Sequence, residues 1–182
     1  DAEMMLFNLL LKSPPIESLF YRYFSAESAF LSIESKKMAF SGIVGMNDTT
    51  EVDYVEDYLF NSNISNHRNH WKLIDKLNTK YIMSCTTLED DLTFWRLYGD
   101  DFKGGSFEMQ LVDSNPNYVI KYVHYAEKNG EDPILNVIKR FYNYIYKTYG
   151  FTIKFKQIDI WKHFFKPYEY AVEKEIRILY LG

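Results

Sequence analysis

Tyr170-Ala171-Val172-Glu173-Lys174-Glu175-Ile176-Arg177-Ile178-Leu179-Tyr180 is the most informative stretch of this chain. Glu173, Glu175 and Arg177 fall at alternating positions in an apolar run. Residues two apart on a strand share a face, roughly 6 to 7 Å from one another. A strand here therefore lines two carboxylates and a guanidinium along one face. Val172, Lys174, Ile176, Ile178 and Tyr180 take the other face, which is mostly suited to a core. On spacing alone the charged face reads as a solvated surface, because antiparallel sheets commonly keep one face in water. The sharper alternative is a site that acts on a polar substrate.

Around that strand, 182 residues suffice for one domain, 1–182, with a real core. Residues 1–15 read as an N-terminal helical extension ended by Pro14-Pro15. A net charge of −4 gives no global basic field to gather nucleic acid or anionic lipid. One cysteine, Cys85, excludes an internal disulfide framework and suits a reducing, cytoplasmic compartment. No apolar run reaches the length of a membrane span, and Met4 to Lys12 lack the basic flank and cleavage site of a signal peptide. The chain starts at Asp1 and stops one residue after Leu181, within an apparent strand, which reads as a fragment or processed form. The aromatic share of 18% is high, and most of those rings are assigned to the core rather than to a stacking surface.

The pattern predicts strands over 19–24, 38–41, 80–87, 106–112 and 118–125 before the last one. Helices are predicted over 25–36, with Ser25 as N-cap and the apolar Ala26, Ala29, Phe30 and Ile33 at helical spacing, and over 51–60 and 68–78. A short helix follows Glu89-Asp90-Asp91 and another covers 159–165. Asp132-Pro133 opens a long helix that Gly150 closes. Strands scattered among helices without a βαβ rhythm give the α+β class.

Several constellations compete for a chemical reading. Arg22, set among aromatic residues, is either a binder of phosphate or ribose or one end of a structural ion pair to Glu173, Glu175 or Asp48. Ser84 and Thr86 share a strand face and are read first as ordinary strand-end residues, second as hydroxyls that hold a sugar or a catalytic acid. Cys85 points the other way, into the core, and no nearby histidine makes it a nucleophile. Met46-Asn47-Asp48-Thr49-Thr50-Glu51 reads as a capping box, with a ligand-facing Asn47 as the alternative. Trp95 and Tyr98 share a helical face. The histidines, His67, His70, His124 and His163, fit no metal-ligand pattern, and a nuclease built on Asp48, Glu51, Asp90 and Asp91 has little support from spacing.

In order, these pieces resemble a large uncharacterised bacterial family often found near mobile elements and phage-defence genes. Its members carry L-Y-R/H-Y, F/L-N-D-P-x-E, I-S-C-F-S, W-x-x-Y-x-x-x-x-x-G and E-x-E-x-R segments. This chain offers Phe20-Tyr21-Arg22-Tyr23, Met46 to Glu51, Met83-Ser84-Cys85-Thr86-Thr87, Trp95 through Tyr98 to Gly104, and Glu173-Lys174-Glu175-Ile176-Arg177. Thr49 replaces a proline, and Thr86-Thr87 replace an aromatic-serine pair. The motif order in turn is similar to that of ADP-ribosyltransferases, which hold NAD in the cleft of a split, strongly bent α+β sheet. The resemblance implies a split and bent, mixed or antiparallel sheet flanked by helices. It implies NAD as co-substrate without a metal, and a macromolecular acceptor, protein or nucleic acid. It also implies a place in anti-phage or toxin defence, with a partner protein in a defence complex and no membrane. By that resemblance Arg22 contacts the ribose-phosphate of NAD, and Ser84 and Thr86 support the nicotinamide ribose and the acid. Glu175 binds the ribose 2′-hydroxyl and stabilises the oxocarbenium-like transition state, Glu173 orients or deprotonates the acceptor, and Tyr98 or Tyr23 stacks on nicotinamide. Arg177 stays structural. The competing expectation is a non-catalytic domain that binds protein or nucleic acid and uses the same residues as a salt-bridge network.

Overall fold

A computed structural model describes residues 2–43, 49–60, 80–113 and 115–182. The fold is α+β, with a six-stranded, mostly antiparallel sheet. The chain forms two compact units, each assembled from separate segments.

The first unit gathers the described residues of Asp1–Lys12, Ile43–Thr79 and Val123–Val172. It contains helices α1 (Ala2–Leu10), α3 (Thr49–Phe60), α5 (Pro133–Tyr149) and α6 (Ile158–Trp161). It also holds two short strands, β6 (His124–Tyr125) and β7 (Phe165–Lys166), paired in parallel. Helix α5 has the ends the sequence predicts. Asp132 accepts a hydrogen bond from the Leu135 amide at 2.9 Å, Pro133 fills the first turn, and Gly150 ends the helix in a left-handed conformation. The N-terminal helix is anchored in this unit. Phe7 stacks on Trp161 with centroids 4.0 Å apart, and the Glu3 carboxylate accepts from the amides of Lys156 and Gln157 and from the Trp161 indole. A buried ion pair, Lys162 Nζ to Glu56 Oε1 at 2.9 Å, ties α3 to the segment after α6. Among the described residues, no helix is long and apolar enough to cross a membrane.

The second unit, Ser13–Gly42, Lys80–Tyr122 and Glu173–Gly182, holds the large sheet. Its strands are β1 (Leu19–Phe24), β2 (Ser41–Gly42), β3 (Tyr81–Thr86), β4 (Gly105–Gln110), β5 (Tyr118–Tyr122) and β8 (Glu175–Tyr180). The order is β4-β1-β3-β8-β5, with β2 also on β3. Helix α2 (Ala26–Ser35) starts at Ser25, whose hydroxyl accepts from the Ser28 amide, as expected. Its apolar stripe is not buried: Phe30 and Ile33 are 63% and 65% exposed.

The sheet is pinched. β1 and β4 run in register from Leu19 opposite Gln110 to Phe24 opposite Gly105. β3 and β8 do the same from Tyr81 opposite Tyr180 to Thr86 opposite Glu175. Between β1 and β3, the register holds only Tyr21 opposite Thr86 among the described residues. β8 occupies one edge of β3 along its length, so β1 and β2 share the other edge, at opposite ends. The middle of β3, around Ser84, lies between them.

Register also assigns the faces. Opposed residues in an antiparallel pair project to the same side. One side carries Phe20, Met83, Cys85, Ile176 and Ile178, the core cluster, with Met38, Phe40, Met109, Tyr118 and Ile120 packed against it. The other side carries Tyr21, Tyr23, Ser84, Thr86, Glu175, Arg177 and Lys121.

Candidate functional site

The acidic strand begins later than the alternation predicts. Tyr168–Glu173 form a 3-10 helix, Lys174 takes a left-handed φ of 43°, and β8 starts at Glu175. Glu173 therefore does not continue the row of Glu175 and Arg177, which corrects the single stripe expected from sequence. The turn is fastened to the end of β3. Thr86 Oγ1 donates to the Glu173 carbonyl at 2.7 Å and accepts from the Leu88 amide at 3.1 Å, while the Thr87 amide donates to the Lys174 carbonyl at 3.2 Å. Thr86 thus positions the backbone that delivers Glu175.

The second correction concerns burial. The charged face expected to meet solvent is inside the molecule, with Glu175 only 3% and Arg177 only 2% exposed. The two side chains form a fork: Arg177 Nε donates to Glu175 Oε1 at 2.7 Å, and Nη2 donates to Oε2 at 3.0 Å. Bidentate guanidinium–carboxylate pairing fixes the carboxylate plane. It uses two of the roughly four acceptor positions of an ionised carboxylate.

The remaining candidates fall into three groups. Thr86 and Ser84 lie opposite Glu175 and Arg177 respectively, so the hydroxyl strand does adjoin the acidic strand. Ser84 is exposed even though Arg177, its cross-strand partner, is buried. This face therefore reaches solvent at the middle of β3. Glu173 Oε1 accepts from the Tyr98 hydroxyl at 3.0 Å, and the Tyr98 ring is half exposed at 5.3 Å from Phe94. Tyr23 is largely committed to the frame. Its hydroxyl donates to the Leu88 carbonyl and accepts from the Asp91 amide, and its ring meets the Trp95 edge at 5.1 Å.

Arg22 does not join them. It stands between Tyr21 and Tyr23, so the pleat sends it to the opposite side of the sheet. There Arg22 Nη1 donates to the Ala39 carbonyl at 2.8 Å, and the guanidinium lies 5.1 Å from the Phe24 ring centre. Burial lowers the Arg22 pKa, an effect opposed by the nearby Cys85. The arginine clamps β1 to the segment entering β2, across the pinch. A single cleft lined by Arg22, Ser84 and Glu175 is not what this register builds. Asn47 and Asp48 lie outside the described residues.

Cys85 is buried on the core face, and desolvation pushes its thiol up to about 12, against the lowering influence of Arg22. It is a packing residue, as expected.

The segment after Tyr98 has its own local logic. Helix α4 (Leu92–Leu97) is capped by Asp91, which accepts from the Thr93 and Phe94 amides. Asp100, Asp101 and Phe102 then take left-handed φ values of 51°, 49° and 67°. Gly104 closes the loop. A Cβ there would sit 1.8 Å from the Phe24 carbonyl oxygen, so only glycine allows this approach of loop to strand.

Lys121 escaped the sequence reading. It lies opposite Arg177 on the same face and is 6% exposed. Its only local signal is a charge inside the apolar run Tyr118-Val119-Ile120-Lys121-Tyr122, and only register reveals its neighbour.

Comparison with protein-family models, curated proteins and solved structures finds no match to this chain.

Proposed function

We propose that the second unit is an NAD-consuming ADP-ribosyltransferase-type domain whose catalytic acid is Glu175. One observation carries this reading. The arginine, hydroxyl and acidic motif strands, distant in sequence, are neighbours in the sheet in that order, β1-β3-β8. They meet where the sheet is pinched, at Tyr21 opposite Thr86 opposite Glu175.

The division of labour follows from the contacts. Thr86 holds the turn before Glu175, and Arg177 fixes the carboxylate plane. A carboxylate held beforehand stabilises positive charge developing on the ribose as nicotinamide leaves, without reorganising during the reaction. Glu173, hydrogen-bonded to Tyr98 at the half-exposed end, orients the incoming acceptor. The acceptor is water or a nucleophile on a protein or nucleic acid. Ser84, the exposed hydroxyl of the row, holds a ribose hydroxyl. Arg22 acts on the frame, not on the substrate.

A second reading rests on an equally specific observation: the Glu175–Arg177 fork is closed and buried, as a purely structural ion pair would be. In that case the unit is a binding domain without catalysis. Nicotinamide release from NAD separates the two. The enzyme reading expects release by the wild-type protein, a loss of about a hundredfold or more in Glu175→Gln, and partial retention in Glu175→Asp. Unchanged release in Glu175→Gln sinks the assignment of Glu175, and NAD left intact by the wild-type protein favours the binding domain.

A further inference from the structure

We propose that Lys121 binds the pyrophosphate of the dinucleotide, the role that the motif pattern assigns to Arg22. This inference rests on the NAD reading above. Four lysines are buried among the described residues: Lys80, Lys121, Lys162 and Lys166. Lys80, Lys162 and Lys166 each have a polar or electrostatic partner. Among the described residues Lys121 has no hydrogen bond and no ion pair to a carboxylate, and burial lowers its pKa. A largely buried lysine whose charge has no counter-charge is costly to a fold.

The neighbours make the position costlier still. Lys121 stands directly opposite Arg177, and like charges opposed across strands repel. Arg177 stands opposite Ser84. With strands about 4.8 Å apart, hydroxyl, guanidinium and ammonium form one row roughly 10 Å long. Glu175 is forked to Arg177 and leaves the ammonium of Lys121 unmatched. An anion with several oxygens supplies the missing counter-charge, and a pyrophosphate spans such a row while a nearby ribose faces Glu175. Ser84, exposed on the same row, is where the ligand meets solvent.

Lys121→Met tests this, with its melting temperature measured alongside to show that the variant is folded. Binding is measured calorimetrically for ADP-ribose, inorganic pyrophosphate and nicotinamide riboside, which has no phosphate. The expected result is an affinity for ADP-ribose and pyrophosphate about tenfold or more weaker in Lys121→Met, as for loss of a hydrogen bond to a charged group. Nicotinamide riboside binding should be unchanged, and Lys121→Arg should recover much of the loss. Equal ADP-ribose affinity in wild type and Lys121→Met overturns the proposal while leaving the NAD reading intact. Lys121-dependent pyrophosphate binding without nicotinamide release keeps the anion site and overturns the enzyme. Absence of binding by all three ligands to the wild-type protein overturns both.

Discussion

Replacing Glu175 by glutamine removes one charge from a pair that is almost wholly out of water, with 3% and 2% of the two residues exposed. Arg177 then keeps its charge, stays buried, and loses the carboxylate charge and one of the two oxygens that its Nε and Nη2 address at 2.7 and 3.0 Å, an amide NH2 taking that oxygen's place. Breaking a buried pair by removing one partner costs about 3–5 kcal/mol. For a chain of this size, each kcal/mol lowers the melting temperature by about 2–4 °C. Glu175→Gln should therefore melt roughly 6–20 °C below wild type. Arg177→Met, which takes the fork away from the carboxylate, should fall in the same range. The double variant Glu175→Met/Arg177→Met removes both charges, and apolar replacement of a buried pair is often neutral or better. It should therefore be more stable than either single variant. Urea titrations of wild type, Glu175→Met, Arg177→Met and the double variant give the coupling energy, expected at about 3 kcal/mol at the upper end of what contacting residues show. Strictly additive losses, or a Glu175→Gln loss below about 1 kcal/mol, would refute the claim that the fork is a dry, mutually dependent pair.

Arg22→Ala should lower stability by about 1–3 kcal/mol, through the lost charged hydrogen bond to Ala39 and the contact over Phe24. Its affinity for ADP-ribose should stay within about twofold of wild type, since a frame residue should lose less than a single contact to ligand is worth. A large affinity loss without a stability loss would return Arg22 to the binding site. Cys85, raised from 9.0 to about 12, should not react with a thiol reagent at mildly alkaline pH until the protein unfolds. The unfolded thiol ionises first, so its contribution to stability is full below pH 9.0 and is lost as pH rises toward 12. Cys85→Ala should remove that part of the alkaline loss. Gly104→Ala drives a methyl into the Phe24 carbonyl oxygen and should cost about 3 kcal/mol or more. Asp101→Gly, at a left-handed φ of 49°, should instead be neutral or stabilising by up to about 1 kcal/mol. Both are read from denaturation midpoints.

What the sequence discloses follows the range of the physics involved. The ends of α5 and the N-cap of α2 are set by residues within one turn, so Asp132-Pro133, Gly150 and Ser25 announce them directly. The strand over 175–180 is visible from alternation, but its start is not. Lys174 turns left-handed only because Thr86 and Thr87, some 87 positions away in sequence, hold the turn. Alternation likewise suggests solvent for Glu175 and Arg177, because it cannot show that both faces of a strand are covered. Arg22 sits in Leu19-Phe20-Tyr21-Arg22-Tyr23-Phe24, where aromatic side chains on both sides erase the period that would mark its face. Lys121 becomes conspicuous only beside Arg177, a neighbour supplied by register rather than by sequence. The apolar spacing of α2 is genuine, yet Phe30 and Ile33 remain exposed, since period alone does not say what packs against a stripe.

The central claim is that the face bearing Glu175 cleaves the bond between nicotinamide and ribose. Its most direct test is nicotinamide release from NAD by wild-type protein and by Glu175→Gln, assayed in the cold where each still unfolds cooperatively. The account predicts release by the wild-type protein and a loss of about a hundredfold or more in the folded variant. Equal release from the two proteins, or NAD left intact by the wild type, contradicts it.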